Sequence, residues 1–195
     1  YRERGFLDVE IEPARVEIQN AQAHVSIVIK EGTQTTLSSV RFEHAFSVPA
    51  QELFADIEQA VDPDSGIGPI TLGQPYSVSA IEEGRIALLR HYRYLGFLFA
   101  KVFVTSSVTA DRKEADVIYR VEEGPQVRIH SVLVRGNTHT RESTIRGRIS
   151  FAPGDVYRLD QAISDQRAIA SLGVFSSVRV KLIDENVPQE KKDMV

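Results

Sequence analysis

The chain has 195 residues, 23 Lys and Arg against 27 Asp and Glu, and a formal net charge of −4. With 42% apolar and 26% charged residues it is too apolar for disorder, and at roughly 150 residues per domain it holds one large domain or two small ones. The acidic balance argues against a dedicated nucleic-acid binder, and the longest apolar run, residues 95–100, is far short of the ~20 that cross a bilayer as a helix.

Cysteine is absent, which removes disulfides, thiol nucleophiles and thiolate metal sites together. It leaves the compartment open, since a cysteine-free chain suits an oxidising space and many cytosolic domains also lack the residue.

In chain order, Tyr1 to Phe6 read as the end of a folded unit, so the sequence has the character of a piece of a longer chain. Pro13 has no N–H to give a ladder, which implies that the strand around it is an edge. Val25, Ile27 and Ile29 alternate as one face of a further strand. A strand over 38–43 precedes a helix over 50–60, whose Leu53, Phe54, Ile57 and Val61 have helical spacing. Residues 62–72 are rich in Pro and Gly and read as a loop. Ser79 and Glu82 form a capping-box pattern that opens a second helix, and Gly96 sits where a left-handed cap ends it. Two strands follow, 97–109 and 116–122, joined by Asp111-Arg112-Lys113. Val117, Tyr119 and Val121 share one face of the second. The order then restarts with a strand over 129–135, a helix, a second helix capped by Asp160, and Gly173 at its end.

This restart is a repeat. An apolar block surrounds a glycine at Gly5-Phe6, Gly96-Phe97 and Gly173-Val174-Phe175, and Glu-Gly recurs at Glu31-Gly32 and Glu123-Gly124. Val40-Arg41-Phe42 returns as Val132-Leu133-Val134 at an offset of 92, and Gly73-x-x-Tyr76 returns as Gly154-x-x-Tyr157 at an offset of 81. The 11-residue difference is the 62–72 loop. Three copies result: the tail of one over 1–33, a full one over 34–124, and one over 125–195 whose last strand has only begun. That end is expected to be frayed or completed by another chain. The complete order is strand, helix, helix, strand, strand: an α+β layer of three strands under two helices.

No pattern of catalytic or metal-binding residues appears. The histidines (His24, His44, His91, His130, His139) lack ligand spacing, Gly66-Ile67-Gly68 lacks the strand–turn–helix context of a phosphate loop, and Glu82 is accounted for by the cap. Glu122-Glu123 reads as a solvated strand end. The reading is a non-enzyme with no cofactor. Charge is uneven, −5 over 34–124 and +3 over 125–195, with Arg135, Arg141, Arg146 and Arg148 near the first strand and helix of the last copy. They are either a solvated face or a patch for anionic headgroups or an acidic partner.

Glu123-Gly124-Pro125, an apolar strand, Gly136-Asn137, a helix, Gly154-x-x-Tyr157, a second helix and Leu172-Gly173-Val174-Phe175 together resemble the polypeptide-transport-associated (POTRA) domains of the outer-membrane β-barrel assembly family. The first junction departs from the pattern: Thr33 replaces the proline and His44-Ala45 replaces Gly-Asn. The resemblance implies tandem βααββ repeats, each a three-stranded mixed sheet covered by two helices, at the periplasmic face of the outer membrane. It further implies unfolded outer-membrane proteins as clients, accessory assembly proteins or chaperones as partners, a membrane β-barrel in the same chain, and no nucleic acid. The alternatives are the same repeats in a two-partner-secretion transporter and, from another class, a small-molecule or lipid-binding domain. An open sheet edge suits an extended guest, because backbone pairing tolerates many sequences. The candidate edges are Val102, Val104 and Ser106 in the full copy and Val178, Val180 and Leu182 in the last. Proline at Val104 or Val180 is expected to weaken guest binding and spare the fold. Gly124 and Pro125 are expected to form a limited hinge between copies.

Overall fold

The structure is a computed structural model that describes residues 1–19, 22–60 and 68–195. Val61, most of the 62–72 loop, and Gly66 and Ile67 lie outside the described residues. The chain divides into two compact bodies, residues 1–87 with 103–120 and residues 88–102 with 121–195. The division cuts through the longest helix and two strands instead of falling between sequence copies.

The first body opens with two short ladders. β1 (Glu10–Ile11) pairs with β4 (Ile29–Lys30), and β2 (Arg15–Gln19) pairs with β3 (Gln22–Ser26), both antiparallel. Pro13 therefore interrupts the expected strand instead of lying within an edge, because without an N–H it cannot carry a ladder across. The expected Val25–Ile27–Ile29 strand is broken in the same way. Val25 and Ile27 are more than half exposed and do not form a buried face.

The full copy follows: β5 (Thr36–Glu43), α1 (Ala50–Glu58), α2 (Val78–Tyr94), β6 (Lys101–Val108) and β7 (Glu114–Glu122). The sheet order is β5-β7-β6, with β5 parallel to β7, and a short turn returns β6 into β7. The sheet is mixed. In that turn the Thr109 hydroxyl donates to Asp111 Oδ1 at 2.7 Å, and Arg112 takes the left-handed region at φ 60°. Residues 97–100, expected to be strand, form a turn closed by the Ala100 N–H on the Phe97 carbonyl at 3.1 Å. Ala115, Val117, Tyr119 and Val121 alternate inward and are essentially inaccessible, as are Leu53 and Ile57 of α1. The Tyr119 hydroxyl donates to the Ile81 carbonyl of α2 at 2.8 Å, tying helix to sheet. Burial pushes that phenol well above its ordinary range.

The expected capping box is not formed. α2 begins at Val78, and the Ala80 N–H donates to Ser77 Oγ at 3.1 Å. Glu82 turns away to a two-pronged pair with Arg85, one turn along, at 2.6–2.9 Å. A guanidinium at i+3 competes better for a carboxylate than a neutral backbone N–H does.

The last copy lies within the second body: β8 (Arg128–Val132), α3 (Glu142–Arg146), α4 (Leu159–Ala170) and β9 (Lys191–Met194). Asp160 does not cap α4; the cap position is Arg158, and Asp160 pairs with it at 3.5 Å. β9 runs parallel to β8, and residues 181–183 pair with 193–195 on its other side, giving a mixed order as in the full copy. Both parallel ladders carry an irregularity at matching places, between Leu37 and Ser39 and between Ile129 and Ser131. At each, a serine hydroxyl holds an aspartate of the opposite strand: Ser39 to Asp116, and Ser131 to Asp193 at 2.6 Å. The end of the chain is seated and not frayed, since Lys181 and Val195 exchange two backbone bonds of 2.9 Å. Lys192, 2% exposed, takes the place of Ala115; its ammonium donates to the Asp184 carbonyl and lies 5.5 Å from the Phe99 ring centre.

Gly84 sits on the buried face of α2. A Cβ there would meet Ile70 Cδ1 at 2.7 Å and the Tyr119 hydroxyl oxygen at 2.8 Å. Gly84→Ala should gain about 1 kcal/mol of helix propensity, yet overpacking costs about 1–3 kcal/mol and also strains the Tyr119 bond. A net loss of about 1–2 kcal/mol is expected in urea unfolding.

Candidate functional site

Two features of the fold present chemistry to a partner: the corners that link one copy to the next, and the outer edges of the sheets. At the first corner the Thr35 N–H donates to the Gly5 carbonyl at 2.8 Å, the Tyr76 N–H to the Thr35 carbonyl at 2.9 Å and the Leu37 N–H to the Gln74 carbonyl at 2.9 Å. At the second, the Val127 N–H donates to Gly96 at 2.9 Å, Tyr157 to Val127 at 2.9 Å and Ile129 to Asp155 at 2.8 Å. The same carboxamide braces each. Gln34 Nε2 donates to the Arg4 carbonyl and Gln126 Nε2 to the Leu95 carbonyl, both at 2.9 Å. Sequence reasoning passed over these glutamines, although both stand two residues after a Glu-Gly pair.

The side chains over the corners differ. Glu3 Oε2 accepts from Ser77 Oγ at 2.5 Å and from the Ser79 N–H at 3.2 Å, so a carboxylate from the preceding copy caps α2. Its negative charge also suits the helix N-terminus. Burial works to raise the Glu3 carboxyl, but the Ser77 and Ser79 hydrogen bonds outweigh it and hold the group below its usual range. At the second corner the guanidinium of Arg158 lies over the Tyr94 ring, 4.2 Å from its centre. Gly124, at φ 68°, and Pro125 fall inside the second body, where Gln126 and Val127 tie the chain back to the 95–96 corner.

Among the described residues the sheet order leaves β6 paired on one side only, as it does β5 apart from a single bridge between Thr36 and Pro75. Val102 is buried and Val104 half-buried, and Ser106 accepts from the Tyr76 hydroxyl at 2.8 Å, so these three side chains support the fold. Phe103 and Thr105 lie on the opposite face and are exposed, with Arg120 5.7 Å from the centre of the Phe103 ring. In the last copy Val180 is half-buried and Leu182 buried.

The two proline tests expected from the sequence stand differently. The Thr109 N–H donates to the Glu114 carbonyl at 2.9 Å, so by the alternation of an antiparallel pair the N–H groups of Phe103 and Thr105 face β7 and that of Val104 points outward. Lys181, whose N–H likewise faces its partner strand, is the counterpart of Thr105. The Val180 N–H also faces outward, but it is occupied: it donates to Gln166 Oε1 of α4 at 3.0 Å. The matching helix residue in the full copy is Leu89, seven before its glycine as Gln166 is, and it has no acceptor to offer. Alternation of apolar residues fixes which face a side chain takes and leaves open which way its N–H points.

Among the four arginines, Arg146 is held by Glu142 at 2.6 Å and by the Val132 carbonyl at 2.7 Å, and so is part of the fold. Arg141 is the residue before α3, and Arg135 and Arg148 are exposed. Among the described residues, no group of three or more His, Asp or Glu side chains is placed to hold a metal ion.

A mixed sheet under two helices, joined to its neighbour through a glycine corner, defines a tandem α+β repeat of βααββ order. The POTRA family profile, described as "Surface antigen variable number repeat", matches residues 55–124 and 127–195, and the chain belongs to this family. Among curated proteins it is similar to outer membrane protein assembly factor BamA of Nitratidesulfovibrio vulgaris, with 22% identity over 98% of this chain and 23% of that protein. It is likewise similar to BamA of Neorickettsia risticii, with 24% identity over 93% of this chain and 23% of that protein. The chain thus spans about a quarter of the length of these relatives. Among solved structures, Haemophilus influenzae BamA POTRA3-5 aligns with TM-score 0.57 and 19% identity over 99% of this chain and 73% of that one.

Because Glu3 titrates below its unfolded value, the stability that it adds is present above about pH 4.5 and is lost as pH falls through its lower folded value. Glu3→Gln should therefore differ from the parent in urea midpoint at pH 7, and the gap should narrow as the pH is taken below about 4.5. A gap that does not narrow with acidification would show that the carboxylate adds nothing.

Proposed function

We propose that these repeats lie at the periplasmic face of the outer membrane and serve as the protein-binding arm of an outer-membrane β-barrel assembly factor. In this reading unfolded outer-membrane proteins are the clients, and accessory assembly proteins or chaperones dock on the same arm. Family membership and the two assembly-factor relatives support it. The observation that carries the mechanism is that β6, among the described residues, is paired with β7 alone.

A barrel strand before insertion is an extended segment with unsatisfied N–H and C=O groups. Adding it to β6 satisfies those groups without reading its sequence, which suits one receptor to many clients. The outer face of this edge mixes Phe103 with Thr105 and Ser107, giving contact area without a continuous apolar strip that would promote self-association. The last copy offers a poorer edge, because Gln166 already holds the Val180 N–H.

A peptide copying one barrel strand should shift the amides of residues 101–108 in nuclear magnetic resonance titration. Val104→Pro, which removes an outward donor, should weaken binding several-fold with the melting temperature little changed. Gln166→Leu should add a second set of shifts around 178–182. Shifts gathered on α1 and α2, with the proline variant binding normally, would overturn the edge as receptor.

A further inference from the structure

The first strand of each copy runs beside the first helix, and the two copies treat that junction differently. In the last copy the guanidinium of Arg146 bridges it, with Nε on Glu142 Oε1 at 2.6 Å and Nη2 on the Val132 carbonyl at 2.7 Å. The Leu133 N–H faces β9, on Met194, so the backbone groups of Val132 point the other way. An arginine thus closes the outer edge of β8 from within its own copy.

The full copy has the same backbone and none of these side chains. An offset of 92 carries Val132 to Val40, Glu142 to Ala50 and Arg146 to Phe54. Both parallel ladders break at the same place in this register, and Pro49 and Arg141 both stand directly before their helix. Leu53 and Ile145, one residue before the exchanged pair, are both buried. The Val40 carbonyl therefore points away from β7, and Phe54 has nothing to donate to it. A cleft of about 580 Å³ opens there, and its lining includes all three counterparts, with Phe42 and Glu43 beside them. Arg41 also lines it. Because Phe42 stacks on Tyr119 beneath the helices, Arg41 belongs to the opposite face of the sheet. There its charge favours the ionised Asp116, which Ser39 and Ser38 already hold below the usual carboxylate range.

We propose that this cleft takes the guanidinium of an arginine on a protein partner, in the place that Arg146 fills in the last copy. The guanidinium donates to the Val40 carbonyl, lies against the rings of Phe42 and Phe54, and pairs with Glu43. Aromatic faces attract a guanidinium, and a carbonyl accepts more strongly from a charged donor than from a neutral one. Glu43 stands where the last copy has Arg135, so the charge at the strand end is reversed in favour of a cation. Lysine suits the site less, because a compact ammonium cannot stack and hydrogen-bond in one plane. β5 is the opposite edge of the sheet from β6, so this site is separate from the one proposed for extended guests.

The test titrates the chain with a blocked tripeptide that holds arginine between two alanines, read by amide shifts. Saturable shifts at residues 40–43 and 54 are expected. Citrulline in place of the arginine, neutral but alike in shape, should bind about fivefold more weakly. Glu43→Gln should weaken the arginine peptide to a similar extent and leave the melting temperature unchanged. Ala50→Glu with Phe54→Arg rebuilds the last copy's own pair, and should abolish the shifts while the rest of the amide spectrum is kept. Equal binding of the citrulline peptide, or of one with leucine, would overturn the proposal, since the cleft would then be a merely apolar edge. So would shifts that survive both sets of substitutions, or that appear only at 101–108. Binding at β6 is read at 101–108 alone, so either reading can fail without the other.

Discussion

The bond from the leading amide of each first strand to the carbonyl of a left-handed glycine sets the geometry around it. Thr35 on Gly5 and Val127 on Gly96 are the two instances. At φ 84° and 89° these glycines turn the chain after a helix and leave their carbonyls pointing at the incoming strand. Space forbids a side chain as strictly as the dihedral does: a Cβ on Gly5 would stand 2.4 Å from the Thr35 carbonyl oxygen, and one on Gly96 would stand 2.3 Å from Val156 Cγ1. Because three further backbone bonds follow in fixed register at each corner, the next copy cannot slip by one residue without turning its core face outward. The compact bodies divide α2, β6 and β7, so that residues 88–102 fall in the same body as the copy that follows.

Backbone carries these corners, and side chains over them are free to vary. Glu3 on Ser77 and Tyr94 under Arg158 occupy matching positions with unrelated chemistry, one a capped helix end and the other a stacked cation. Ala115 and Lys192 do the same inside the sheets, the lysine tolerated because its ammonium reaches a carbonyl and a ring face. A fold held this way keeps its shape while its sequence drifts, in keeping with identities of 22–24% to relatives that align along nearly the whole chain.

The repeat was legible because glycine and tyrosine mark positions where few residues substitute: left-handed corners at Gly5, Gly96 and Gly173, and the buried Tyr76 and Tyr157. Element boundaries were less so. Ser79 and Glu82 have the spacing of a capping box, but local pattern cannot weigh Glu82 against Arg85, or foresee that Glu3, 76 residues away from Ser79, supplies the cap. Val25, Ile27 and Ile29 alternate as a strand should, yet alternation does not say whether a partner runs alongside without a break. Pro13 breaks it. The direction of an edge N–H is hidden for a deeper reason: it depends on which residues pair across the ladder, a tertiary fact that a residue pattern does not encode.

That hidden parity bears on how the two sheets treat their edges. An open edge recruits strands indiscriminately, including those of other copies of the same protein, so each edge must be either used or closed. The last copy closes one donor with Gln166, reaching from α4 to the strand 14 residues later, and flanks it with Arg179 and Lys181. Desolvating those charges disfavours a strand laid flat against them. The full copy has Leu89 at the matching helix position and Ser and Thr along the strand, which neither satisfy the edge nor repel a guest. At this edge the two sheets thus differ in the Gln166 hydrogen bond and in the charges of Arg179 and Lys181, and in the proposed reading that difference directs an extended segment to the full copy. In that reading selectivity lies in the edges of the repeats themselves, so a guest needs no particular sequence, only an unpaired backbone.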